Sequence, residues 1–130
     1  MAQLTANEVA KQIVDSALKI HKAFGPGLLE SVYETVLASE LRKRGLDVVR
    51  QQGIPLVYDG VDLEIGFRAD LIVEGLVIVE VKSVEAIAPV HKMQLLTYLG
   101  LAGKELGLMV NFNVPLIRDG ITRVVNGLRE

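Results

Sequence analysis

The chain has 130 residues, of which 50% are hydrophobic and 23% charged, with no Cys and a formal net charge of −2. This composition argues against disorder and excludes disulfides, Cys-based zinc sites and thiol catalysis. It also leaves no global basic field for nucleic acid, so any such contact must be local or helped by a metal ion.

Thr5-Ala6-Asn7-Glu8 is a capping box, and Val9, Ile13, Ala17, Ile20 and Phe24 follow at spacings of three and four, which predicts an amphipathic helix over residues 5–24. Gly25-Pro26-Gly27 stops it. A second helix is expected from Leu29 to Arg44, with Val32, Val36, Leu37 and Leu41 inward and Gly45 as its cap. From Asp47 the period becomes strand-like: Val48-Val49, Ile54 to Tyr58, and Val61 to Ile65, with Asp59-Gly60 as a hairpin turn and Pro55 marking an edge strand. Two apolar strands, Phe67 to Val73 and Leu76 to Val81, meet at Glu74-Gly75 and should be central. A helix from Val90 to Lys104, a buried strand from Leu106 to Val114 and a short strand from Gly120 to Val125 complete the order. The reading is one α/β (α+β) domain over residues 1–130, a mixed sheet flanked by helices. Glu8, Lys11, Asp15 and Lys19 interrupt any signal-peptide core, and no apolar run reaches the ~18 residues of a membrane span, so a soluble, cytoplasmic protein with no membrane partner is expected.

The chemistry concentrates between Arg68 and Lys82. Leu76-Val77-Ile78-Val79 leads straight into Glu80, and a buried carboxylate is costly unless it is paired or holds a metal. Strand periodicity puts Glu80 and Lys82 on one face. A two-residue turn at Glu74-Gly75 would pair Asp70 with Val79 and turn the two acids apart, whereas a three-residue loop centred on Gly75 would set Asp70 opposite Glu80. The second register is expected, because only there do two carboxylates converge on a cation. Oxygen donors of this kind suit Mg²⁺ or Mn²⁺, with the Val81 carbonyl as a third ligand and Lys82 orienting the nucleophile of a phosphodiester hydrolysis. His91, Gln94 and Tyr98 form a polar stripe on the following helix, able to hold a phosphate or a base edge. Glu30 and Tyr33 form a similar pair at the start of the second helix, where Glu30 would complete the outer shell of the metal.

At these residues the chain resembles a known family. Gly27-Leu28-Leu29-Glu30-Ser31-Val32-Tyr33 is the signature of the GxxExxY proteins, and the likeness continues at Arg68-Ala69-Asp70, Glu80-Val81-Lys82, Gln94 to Tyr98 and Gly107 to Phe112, spanning residues 20 to 126. That family is similar to the PD-(D/E)XK nuclease superfamily, with its restriction-endonuclease-like core, and Gln94-x-x-x-Tyr98 resembles the branch related to the RecB nuclease domain. The resemblance implies a Mg²⁺- or Mn²⁺-dependent deoxyribonuclease. Asp70 and Glu80 would match the metal ligands, Lys82 the catalytic lysine, Gln94 and Tyr98 the helix motif, and Glu30 the acid of an early helix. Ala69 stands where the motif's name has Pro.

The bland readings are a salt bridge between Lys82 and one acid, a surface or outer-shell role for His91, a helix-face role for His21, and a packing role for Tyr33. The alternative function is a non-catalytic nucleic-acid-binding or protein-interaction module that keeps the nuclease fold, which the net negative charge favours. Target selection by so short a chain would come from a homodimer or a partner protein.

Overall fold

The computed structural model describes residues 3–128, the side chains of residues 64 and 65 excepted. Helix α1 (Ala6–Phe24) opens on the expected capping box: Thr5 Oγ1 accepts the Glu8 N–H at 3.1 Å and Glu8 Oε1 accepts the Thr5 N–H at 3.1 Å. Helix α2 (Glu30–Lys43) follows, then strands β1 (Val48–Tyr58), β2 (Val61–Val73) and β3 (Val77–Lys82), helix α3 (Pro89–Ala102), and strands β4 (Leu106–Asn111) and β5 (Ile121–Val125). The five strands lie in sequence order. Only the β3–β4 pair is parallel, with α3 as its crossover.

The sheet divides two apolar cores. On one face α1 and α2 bury Val9, Ile13, Ile20, Tyr33, Leu37 and Leu41 against Leu71, Val79, Val81 and Val110. On the other, Leu95 and Leu99 of α3 cover Ile54, Ala69, Ile72, Ile78 and Met109. At roughly 25 cal/mol per Å² of apolar area removed from water, these two layers supply the main driving force for folding. The central strands are apolar on both faces, as a sheet covered on both sides requires.

Asp59-Gly60 makes the two-residue hairpin, both residues at positive φ (49° and 78°), and Pro55 lies on the edge strand beside a register shift between Ile54 and Leu56. Three expectations need correction. The segments Val48-Val49 and Ile54 to Tyr58 are one strand. So are Val61 to Ile65 and Phe67 to Val73, because Gly66 does not mark a turn: a Cβ there would lie 2.7 Å from Leu56 Cβ, and the glycine serves close strand contact at the bulge. Val32 is 40% exposed rather than inward, since the buried stripe of α2 runs through Tyr33, Glu34, Leu37, Ala38 and Leu41.

The sheet also changes facing where the acids sit. Val48 and Ile54 are an even number of residues apart yet belong to opposite cores, and so do Ala69 and Leu71. Between them the β1–β2 ladder passes from Arg50↔Leu71 to Gln52↔Ala69, leaving Gln51 and Asp70 unpaired in backbone terms. Gln51 has φ 51°.

Candidate active site

The β2–β3 connection is the three-residue loop Glu74 to Leu76, with Glu74 and Gly75 at φ 55° and 63°. The ladder therefore pairs Val73↔Val77, Ile72↔Ile78 and Leu71↔Val79, and its next step sets Asp70 opposite Glu80. There side chains replace the backbone ladder. The Asp70 N–H donates to Glu80 Oε2 at 3.1 Å, and the Val81 N–H donates to Asp70 Oδ2 at 2.9 Å. Each carboxylate is thus held against the opposite strand.

Glu80 is only 7% exposed. Burial first, and the Asp70 carboxylate second, push its carboxyl up to about 8, with the Asp70 N–H and the Lys82 charge acting in the opposite direction. Tyr98 on α3 stacks on Phe67 with ring centroids 3.5 Å apart. Its phenol is shifted upward by burial and then by the Glu80 and Asp70 charges.

Lys82 shares the face of Ile78 and Glu80 by strand alternation. Among the described residues the ion pairs are Lys19–Glu40, Arg44–Glu40 and Arg50–Glu34, and the salt bridge considered for Lys82 is not among them. The strand end carrying Lys82 is anchored by backbone: the Phe112 N–H donates to the Lys82 carbonyl at 3.0 Å. Beyond it, Ser83 Oγ donates to the Leu28 carbonyl at 2.9 Å. Buried Asn111 accepts the Val84 N–H at 3.1 Å and donates to the Val84 carbonyl at 2.9 Å.

The other predicted residues are spread around this centre. Val81 is buried, and since its N–H points toward β2, its carbonyl points the same way. Gln94 is exposed one turn before Tyr98. His91 Nδ1 accepts the Ala88 N–H at 3.1 Å and closes the first turn of α3. Glu30 is exposed in the first turn of α2, and among the described residues no hydrogen bond joins it to Asp70 or Glu80. Tyr33, fully buried, stacks on Phe112 at 4.3 Å, donates to the Gly25 carbonyl and accepts the Leu28 N–H, so it locks the loop between α1 and α2.

Sequence reasoning missed Glu34 and Gln51. Glu34 is the α2 carboxylate connected to the centre, through Gln51, whose Nε2 donates to Glu34 Oε1 at 2.8 Å and to Asp70 Oδ1 at 3.2 Å. Its spacing to Leu37, Ala38 and Leu41 already put Glu34 on the apolar stripe, a signal of burial. Gln51 carried no comparable signal.

Compared with protein families, residues 7–124 match the PD-(D/E)XK nuclease superfamily. The chain belongs to that superfamily. No curated protein and no solved structure matches it. A mixed sheet with helices on both faces is the architecture of PD-(D/E)XK nucleases, which generally use divalent metals.

The residues present fit such an ion. Burial, and then the neighbouring Asp70 carboxylate, favour the protonated form of Glu80, and a hard dication would take that proton's place among oxygen donors. Among the described residues no group of three or more His, Cys, Asp or Glu is able to hold a metal. The remaining ligands of a PD-(D/E)XK centre here would therefore be the Val81 carbonyl and water.

Proposed function

We propose that this PD-(D/E)XK protein is a Mg²⁺- or Mn²⁺-dependent nuclease that hydrolyses DNA phosphodiester bonds. The observation that carries the reading is the meeting of Asp70 with buried Glu80, beside Lys82 on the same face of β3, which among the described residues forms no ion pair. A divalent cation held by the two acids would supply Lewis acidity to the phosphodiester under attack. Asp70 and Glu80 would hold it as carboxylates, for which Glu80 would give up its proton. Lys82 orients the attacking water and offsets charge building on the phosphate. Tyr98 and Gln94 on α3 hold the phosphate or a base edge, with His91 at the start of that helix.

Placement among the GxxExxY proteins and the RecB-like branch belongs to the same proposal. It rests on Gly27 to Tyr33 and on the Gln94–Tyr98 pair. Target selection by a homodimer or a partner protein belongs to it as well.

The roles separate in two variants, assayed on labelled single- and double-stranded DNA with Mg²⁺, Mn²⁺ or EDTA. Glu80→Gln should lose both Mn²⁺ binding and cleavage. Lys82→Ala should keep Mn²⁺ binding and lose cleavage by about 100-fold or more, the usual cost of removing a group that stabilises developing charge. Cleavage undiminished in the folded variants would sink this reading. A wild-type protein that binds DNA without cutting it in any metal would favour the non-catalytic module instead.

A further inference from the structure

The bend in the sheet has a specific side chain at its centre. Gln51 is not glycine, yet it holds φ 51°, a region that residues with a Cβ seldom occupy. The backbone there is turned out of the β1–β2 ladder, directly opposite Asp70. The side chain that this turn presents uses one nitrogen for two bonds: Nε2 donates to Glu34 Oε1 at 2.8 Å and to Asp70 Oδ1 at 3.2 Å, which accounts for both of its hydrogens.

Glu34 is itself fixed. Its other oxygen receives Arg50 Nε at 3.2 Å and a terminal Arg50 nitrogen at 3.0 Å, and the same Arg50 nitrogen reaches Thr35 Oγ1 at 3.0 Å. Buried in α2 and clamped by Arg50, Glu34 gives the Gln51 amide a rigid support. Asp70 then has a donor on each oxygen, Gln51 on Oδ1 and the Val81 N–H on Oδ2. Two donors at opposite oxygens fix the rotation of a carboxylate about its Cβ–Cγ bond, while each oxygen keeps a lone pair for a ligand. The amide also separates two carboxylates that would otherwise face each other without a donor between them.

We infer that Gln51 is a positioning residue that, braced by Glu34 and Arg50, sets the orientation of the Asp70 carboxylate for the cation it shares with Glu80. This rests on the metal-dependent reading above, but its first consequence is independent of metal.

The test is Gln51→Gly in the full chain, a change that removes the amide while suiting the left-handed backbone, so folding is not penalised at that residue. In EDTA, amide hydrogen exchange followed by NMR should show the Val81 N–H exchanging about 10-fold faster or more than in wild type, because its acceptor is no longer held, with Val77 and Val79 unchanged. With MnCl₂ titrated alone, Mn²⁺ should bind about 10- to 100-fold more weakly, the usual effect of losing a partner that orients a metal ligand. Unchanged Val81 exchange overturns the orientation of Asp70 by Gln51. Unchanged Mn²⁺ affinity in the folded variant overturns its role in metal binding. A wild-type protein that binds no Mn²⁺ overturns the metal-dependent reading instead, and the Val81 exchange then decides the part played by Gln51.

Discussion

Glu80 carries its proton to about pH 8 in the folded protein, whereas an unfolded glutamate releases it near 4.5. Between those values the folded state binds a proton that the unfolded state has lost, so the contribution of Glu80 to stability is fully present below pH 4.5 and disappears as pH rises through 8. The full shift corresponds to at most about 5 kcal/mol. Urea denaturation in EDTA should therefore show stability falling between pH 5 and pH 8. Glu80→Gln, with a neutral side chain of the same shape, should flatten that fall. Mn²⁺ competes with the same proton, so its affinity should climb over the same interval. A wild-type profile as flat as that of the variant would contradict the account of the acid pair.

At the scale of elements, the strand carrying Lys82 depends on contacts made far along the chain. Asn111 at the end of β4 holds Val84, and the backbone of Gly120 packs on Asn111 so closely that a Cβ would lie 2.1 Å from its carbonyl oxygen. Backbone cannot yield as a flexible side chain can. Gly120→Ala should cost about 2–4 kcal/mol, measured by thermal or urea denaturation; a loss under about 0.5 kcal/mol would show that β4 and the turn before β5 accommodate the methyl. Elements with a local code were legible in the sequence: the Thr5–Glu8 box, the Asp59-Gly60 turn, Pro55 on the edge, and the apolar β3 and β4. The register of Asp70 against Glu80 was legible for another reason: Glu74-Gly75 allows two registers, and the one that brings the acids together is the one formed. Gly66 misled because a glycine needed for close strand contact looks the same in sequence as one needed for a turn. Glu34 and Gln51 stayed hidden because their contact joins α2 to β1, and nothing in the identity of a glutamine announces a left-handed backbone.

Over the whole molecule, the two cores and the acid pair share one origin. The sheet is covered on both faces, so Glu80 on β3 is left only 7% exposed, and the change of facing at Gln51 and Asp70 brings the second acid to it. No helix among the described residues is long and apolar enough to cross a membrane. A net charge of −2 leaves no global basic field, so in the proposed reading engagement with phosphate should depend on the cation. The central claim is tested most directly by incubating labelled DNA with wild type and Asp70→Asn in Mn²⁺ and in EDTA. The account predicts cleavage by wild type in Mn²⁺ alone and none by Asp70→Asn. Equal cleavage by the two proteins, or an intact substrate after wild type has bound Mn²⁺, would contradict it.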